Sequence, residues 1–255
     1  MSRSLEGCGL SRSQTQKKGS TSMQVAVITG AAGGIGRALV DRLKQNGWRV
    51  IGWDLDAGED PDVTWVEVDV GDVESVREAA AEIDVLSLLV NCAGISDRAL
   101  AAEMRPEQWE RVVRVDLTGT FYCSQALYPA LVRGKGTVVN LASIAGHRSF
   151  AGRANYCAAK AGVVALTEVL GLEWASEGVR VVAVSPGFVA TPLMDAGVAA
   201  GQIDMDKLLA RTPQKRAATP DELAAAIIAL TGDAFAFMTG QTVVIDGGWC
   251  ANGGF

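Results

Sequence analysis

From Gln24 onward, short runs rich in β-branched residues alternate with longer stretches of helical periodicity. "QVAVIT" (24–29), "WRVIGW" (48–53), "TWVEV" (64–68), "VLSLLV" (85–90), "TVVNLA" (137–142), "RVVAVS" (180–185) and "QTVVI" (241–245) read as strands. Most are nearly continuous apolar runs, the pattern of a strand covered on both faces. Between them, 35–46, 72–82, 107–132, 155–176 and 220–231 read as helices. The last opens on "TPDE", with Thr219 as N-cap and Pro220 in the first turn. Alternating β and α units build a parallel sheet with helices on both faces. The expected fold is a doubly wound α/β sheet of about seven strands, a single domain over residues 23–255. Residues 190–219 break the rhythm with small residues and a weak helical pattern. Insertions past a strand's carboxyl end in such a fold cover the ligand, so this segment is the expected substrate lid.

Charge and composition exclude several function classes. The chain carries a net charge of −6 and no basic cluster in its folded part, which argues against nucleic acid as a partner. No run of eighteen apolar residues is present, so no membrane span is expected. Its five cysteines, Cys8, Cys92, Cys123, Cys157 and Cys250, form neither a C-x-x-C pair nor a zinc-ligand spacing, which points to a reducing, cytoplasmic setting. With one histidine, His147, a histidine-rich metal site is not available and no metal is expected; His147 reads as a surface or pocket-rim residue. Residues 1–22 are Ser-rich, basic and without an apolar core, unlike a secretory signal. They read as a disordered leader, with Met23 an alternative start.

"TGAAGGIG", Thr29 to Gly36, follows the first strand and opens the first helix. A glycine-rich turn lets the backbone approach a pyrophosphate, and the free amides and dipole of the helix N-terminus favour its charge. Gly30, Gly34 and Gly36 hold the key positions of a T-G-x-x-x-G-x-G pattern. This makes the sheet Rossmann-type and dinucleotide-binding. The second strand ends at "WDLD", placing Asp54 eighteen positions after Gly36. A carboxylate there accepts hydrogen bonds from the adenosine ribose and repels a 2′-phosphate, so NAD is expected over NADP. Asp56 takes that role if the strand ends later. Gly33 supplies no cation for a 2′-phosphate, in agreement with NAD.

In "NYCAAK", Tyr156 and Lys160 stand four residues apart, one helical turn, with their polar ends on one face. Such pairs also arise by chance on amphipathic helices. Taken together and in this order, "TGAAGGIG", "NCAG" (91–94), Ser143 in "LASIAG", "YCAAK" and "PGFVAT" (186–191) resemble the short-chain dehydrogenase/reductase family over residues 24–248. Ser143 precedes Tyr156 by thirteen residues, the family's usual spacing.

The resemblance implies a set of roles. Hydride leaves a carbinol carbon only as its hydroxyl loses a proton, so a base is needed beside the nicotinamide. Tyrosine by itself is too weak an acid to serve as phenolate at neutral pH. The Lys160 ammonium, with the positive nicotinamide ring, would stabilise the phenolate of Tyr156. Lys160 also contacts the nicotinamide ribose in the family. Ser143 would hydrogen-bond the substrate oxygen and stabilise its developing charge, although a serine at a strand end is often only a turn residue. Asp116 stands where the family usually has an asparagine that anchors a water in a proton relay. An ionised aspartate accepts but cannot donate. It would either hold that water or pair with Lys160 and weaken its effect on Tyr156.

The remaining cofactor contacts implied by the family include Gly33 and Ile35 in the glycine turn. Asp69 and Val70 fall near the adenine, and Asn91, Ala93 and Gly94 along the adenosine. Pro186, Gly187, Val189 and Thr191 fall near the nicotinamide, with the Thr191 hydroxyl on its carboxamide. Cys92 replaces a frequent asparagine and is expected to act as a small buried hydrophobe.

The expected activity is NAD-dependent interconversion of a secondary alcohol, polyol or cyclic diol with a ketone. Two alternatives stay open: a 3-oxoacyl-thioester reductase using NADPH, and a catalytically weak NAD-binding regulatory protein. The pocket wall is expected from 96–104, 147–153 and 193–209. The apolar surplus of helices 107–132 and 155–176 suits subunit packing, and family members are commonly homotetramers. The apolar "DGGWCANGGF" tail is expected to reach a neighbouring subunit.

Overall fold

The computed structural model describes residues 23–56, 58–201 and 203–253. The expected leader, 1–22, lies outside them. Seven strands form one sheet: β1 (Val25–Thr29), β2 (Arg49–Asp54), β3 (Thr64–Glu67), β4 (Leu88–Asn91), β5 (Thr137–Leu141), β6 (Arg180–Pro186) and β7 (Gln241–Ile245). All pairs are parallel, in the order β3-β2-β1-β4-β5-β6-β7. The order reverses between β1 and β4, so the crevice at their carboxyl ends is where such a sheet takes its ligand.

The strand pattern explains the two layers. Ala26, Ile28, Leu88, Val90, Val139, Val182 and Val184 face one core, packed against α1 (Gly34–Gln45) and α8 (Pro220–Thr231). The alternate residues Val27, Leu89, Val138 and Val181 face a second core under α2 (Val73–Ala81), α4 (Gly119–Gly134) and α5 (Ala154–Trp174). Both faces of the central strands are thereby dry, which is why they lack polar alternation. The edge strands β3 and β7, by contrast, bury no residue fully.

The region expected as one helix, 107–132, is instead α3 (Pro106–Val113), a π-helical turn (Arg114–Thr118) and α4. The π turn carries Asp116, fully buried. Wide turns of this kind recur at functional sites because they re-aim a side chain out of the regular helical spacing. The fourth strand starts at Leu88 rather than at 85. The Leu86 amide donates to the Ala130 carbonyl, across to α4, instead of to a strand neighbour.

The lid segment holds two short helices, α6 (Pro192–Ala199) and α7 (Met205–Arg211). Thr191 and Asp204 cap them through their side-chain oxygens. Their weak apolar pattern has a simple cause: α6 buries no residue fully and α7 only Leu208. Among the described residues no helix is long and apolar enough to cross a membrane.

Candidate active site

The glycine turn closes on itself. Gly30 sits at φ +65, a left-handed conformation that costs glycine little. Gly36 comes so near the turn that a Cβ there would lie 2.1 Å from the Gly30 carbonyl oxygen. The N-cap of α1 is Gly33, with no side-chain cap and no acidic residue in the first turn. The amides that open α1 therefore have no side-chain acceptor, and the positive end of its dipole is uncompensated. That is an arrangement suited to a pyrophosphate, and the residues present fit a dinucleotide. Gly36→Ala should displace the turn, with a loss of about 1–3 kcal/mol expected for overpacking against backbone. A lower melting temperature together with weakened dinucleotide binding in a fluorescence titration would be the expected result.

Asp54 closes β2. Its carboxylate accepts from the amides of Ala32 (2.9 Å) and Leu55 (2.8 Å), which fixes it against the glycine turn while leaving further lone pairs on both oxygens. Two cations of α1 have carboxylates of their own. Arg37 lies 3.6 Å from Asp41, and Lys44 lies 2.7 Å from Asp60.

Asp69 accepts from Gly71 N–H and faces Arg114 at 3.3 Å, and Val70 is buried against Gly119. Thr29 Oγ1 accepts from the amides of Cys92 and Ala93, both at 3.0 Å, and so sets the course of "NCAG" past β1. The Asn91 side chain turns inward, donating to Ser124 Oγ and Asn140 Oδ1. What Asn91 presents to the crevice is therefore backbone, not its amide.

At the other half of the crevice a cavity of about 440 Å³ brings together Ser143, Tyr156, Lys160 and Asp116. Ile35, Gly94, Pro186, Gly187, Val189 and Thr191 line it too, as does Cys92. Ser143 follows β5 by two residues and its Oγ accepts from Ala145 N–H at 3.1 Å, which leaves its own proton free to donate. Lys160 is buried on α5, donating to the Leu141 carbonyl at 2.9 Å. Its Nζ lies 3.2 Å from Asp116 Oδ2 and 5.6 Å from the centroid of the Tyr156 ring. The other Asp116 oxygen accepts from Ile95 N–H at 2.8 Å. Asp116 thus pairs with Lys160 directly, the second of the two arrangements its carboxylate allowed.

Burial raises the Asp116 carboxyl above its ordinary 3.8, against the pull of Lys160 and Ile95 N–H. Burial alone would lower Lys160. The charges of Asp116 and Tyr156 outweigh it, and the ammonium is held above its ordinary 10.5. Burial also pushes the Cys92 thiol up to about 12, so it lines the cavity as a neutral hydrophobe.

His147 does not line the cavity; its Nε2 is 2.9 Å from the buried Ser185 Oγ. Thr191 Oγ1 accepts from Met194 N–H, so its lone pairs are partly used in capping α6. The tail turns inward at Trp249, which is buried, stacks on Phe150 at 5.2 Å and meets Phe188 edge-on. An indole buries more apolar area there than at the surface, and Arg211 covers its face at 3.9 Å. Phe188 joins the cavity wall without having been expected there, although it lies inside "PGFVAT".

The family profile described as enoyl-(acyl carrier protein) reductase matches residues 30–250. Cis-4-hydroxycyclohexanecarboxylate dehydrogenase of Sinomonas cyclohexanicum is 40% identical, the alignment covering 89% of this chain and 97% of that one. An uncharacterized short-chain type dehydrogenase/reductase of Sinorhizobium fredii is 38% identical over 89% of this chain and 43% of its own greater length. Among solved structures, the aldohexose dehydrogenase of Thermoplasma acidophilum superposes with a TM-score of 0.85 at 29% identity, over 91% of this chain and 96% of that one. Sheet order, glycine turn and cavity agree with these likenesses, and the chain belongs to the short-chain dehydrogenase/reductase family of nicotinamide-dependent oxidoreductases.

Proposed function

We propose that the protein is an NAD(H)-dependent oxidoreductase that interconverts a secondary alcohol, either a polyol or a cyclic alcohol, and its ketone. The observation that carries this reading is the convergence of Ser143, Tyr156 and the buried Lys160 on one cavity beside the glycine turn. The bound dinucleotide supplies the hydride acceptor or donor. Gly30, Gly33, Gly34, Ile35 and Gly36 hold its pyrophosphate, Asp54 its adenosine ribose, and Asp69, Val70, Asn91, Ala93 and Gly94 flank its adenine half. Lys160, Pro186, Gly187, Val189 and Thr191 hold the nicotinamide half.

Tyr156 accepts the carbinol proton in oxidation and returns it in reduction. The Lys160 ammonium favours the phenolate in the first case and recharges the phenol in the second. Ser143 donates to the substrate oxygen as charge grows on it, in a site the lid and the aromatic wall shield from water. Asp116 anchors Lys160. Among the described residues no cluster of metal-ligating side chains is present, and the chemistry needs none.

The relative at 40% identity is named for a cyclic secondary alcohol, which supports the substrate class. The preference for NAD rests on Asp54 and on the ion-paired state of Arg37 and Lys44. A second reading, a 3-oxoacyl-thioester reductase using NADPH, draws on relatives named 3-oxoacyl-[acyl-carrier-protein] reductase, 33% identical in Thermotoga maritima and 35% in Synechocystis, and Asp54 stands against it through repulsion of a 2′-phosphate.

Absorbance at the nicotinamide band, with a panel of alcohols and ketones and both dinucleotides in parallel, tests the reading. Faster turnover with NADPH than with NADH would overturn the role of Asp54. Dinucleotide binding with no turnover of any substrate would replace the enzyme by a regulatory protein. Asp54→Asn keeps an acceptor for Ala32 N–H but removes the charge. The ratio of kcat/KM for NAD over NADP should fall about tenfold, the worth of one charge-assisted hydrogen bond.

The exposed Phe121 on α4, Val169 and Leu172 on α5, Phe237 ahead of β7 and Val244 in β7 form apolar outer surface, which supports a homotetramer. The chain is proposed to act in the cytoplasm, without nucleic acid or membrane as partner.

A further inference from the structure

An acidic chain surrounds this cavity with three cations, Arg98, Arg153 and Lys160, and a single carboxylate, Asp116. Asp116 and Lys160 answer each other at 3.2 Å. Arg153 has no such counter-charge, for among the described residues no carboxylate lies within ion-pair distance of it. Its guanidinium instead packs over two rings, 6.0 Å from the centroid of Phe150 and 5.6 Å from that of Tyr156. It is half-buried, and that desolvation lowers it from its ordinary 12.5. A cation withdrawn from water without a partner is unfavourable unless an anion completes it.

A second group points to the same place. Ser96 Oγ is buried, lines the cavity and has no hydrogen-bond partner among the described residues. The segment carrying it is fastened to that of Arg153, since Ala99 N–H donates to the Gly152 carbonyl at 3.2 Å and Ala99 bridges Arg153 in parallel. Much of the remaining lining is apolar, with Leu193, Met194 and Ile203 of the lid and Phe188. The cavity therefore offers a base at Tyr156, an apolar chamber, and the Arg153 guanidinium with the Ser96 hydroxyl on two segments bridged to each other.

We propose that the substrate alcohol or ketone carries a carboxylate on a small apolar body, which Arg153 pairs with while Ser96 donates a hydrogen bond to it. The proposal rests on the oxidoreductase reading above and narrows it to hydroxy acids and oxo acids. Neutral polyols then become poor substrates, because they leave the guanidinium unanswered.

The test compares acids with their amides, which match in shape but lack the charge: 4-hydroxycyclohexanecarboxylate with its carboxamide, and 3-hydroxybutyrate with its amide. The unsubstituted enzyme should favour acid over amide by about a hundredfold in kcat/KM for at least one pair, the worth of a charge-assisted hydrogen bond in a dry site. Arg153→Gln should bring that ratio close to one by raising the KM of the acid far more than that of the amide. Cyclohexanecarboxylate, which has no carbinol, should bind in calorimetry at least tenfold more weakly to Arg153→Gln. Equal use of acid and amide by the unsubstituted enzyme would overturn the proposal. So would an Arg153→Gln enzyme slowed alike on both, since Arg153 would then serve the Tyr156 phenolate. Arg153-dependent binding of cyclohexanecarboxylate without turnover of any alcohol would uphold the anion site and overturn the oxidoreductase reading alone.

Discussion

Tyr156→Phe is expected to lose about three orders of magnitude in kcat with dinucleotide affinity and thermal stability left almost unchanged. The substitution removes one oxygen, and among the described residues that phenol oxygen makes no hydrogen bond whose loss would strand a partner. The ring contacts of Lys160 and Arg153, each at 5.6 Å, survive in phenylalanine, because they address the ring and not the hydroxyl. Removing a cavity-facing hydroxyl that makes no such bond alters stability by about 0.5 kcal/mol or less. The effect on rate is of another order, since a positioned proton acceptor contributes roughly 10²–10⁴-fold. Steady-state rates at saturating alcohol, read beside a dinucleotide titration, separate the two. Turnover within tenfold of the unsubstituted enzyme would remove Tyr156 from its assigned role and move the base elsewhere in the cavity.

The residues that meet in that cavity were legible in the sequence for a specific reason. Ser143, Tyr156 and Lys160 lie on two consecutive elements, β5 with its exit and α5, so chain spacing alone brings them together. The four-residue spacing of Tyr156 and Lys160 is a property of a regular helix, and α5 is regular there. The glycine turn was legible because backbone constraint, not tertiary contact, selects its residues.

The π turn at Arg114–Thr118 was not legible, because nothing in "RVDLT" disfavours an ordinary helix. Its cause is tertiary: Asp116 is drawn to the Ile95 amide and to Lys160, partners about twenty and forty residues away in the chain. The inward turn of Asn91 has the same origin, in a network with Ser124, Asn140 and Thr167 spread over three elements. Trp249 likewise looked like a tail residue until Phe150 and Phe188 were placed beside it.

Asp116→Ala should lower stability by about 3–5 kcal/mol, the range for removing one partner of a buried ion pair. In a domain of this size that is a fall in melting temperature of about 10 °C. With the carboxylate gone, the Lys160 ammonium, 6% exposed, keeps the Leu141 carbonyl as its hydrogen-bond partner among the described residues. The sign follows from the two shifts. Lys160 is held above its ordinary 10.5, so its contribution is fully present below that pH and is lost only as the solution becomes more alkaline. Asp116 is raised by burial, so its ionisation at neutral pH works against the fold, and the pair persists because the ammonium needs it. The double variant Asp116→Ala/Lys160→Met should therefore regain most of the lost stability while remaining inactive. If it melts as low as the single variant, the loss comes from an empty space and not from a stranded charge. Asp116→Asn isolates the electrostatic part, for its amide oxygen can still accept from Ile95 N–H. With the negative charge gone, burial is left to pull the Lys160 ammonium down, so the loss of thermal stability toward alkaline pH that the raised Lys160 imposes should become smaller. An unchanged profile would mean that the carboxylate positions Lys160 without holding its charge.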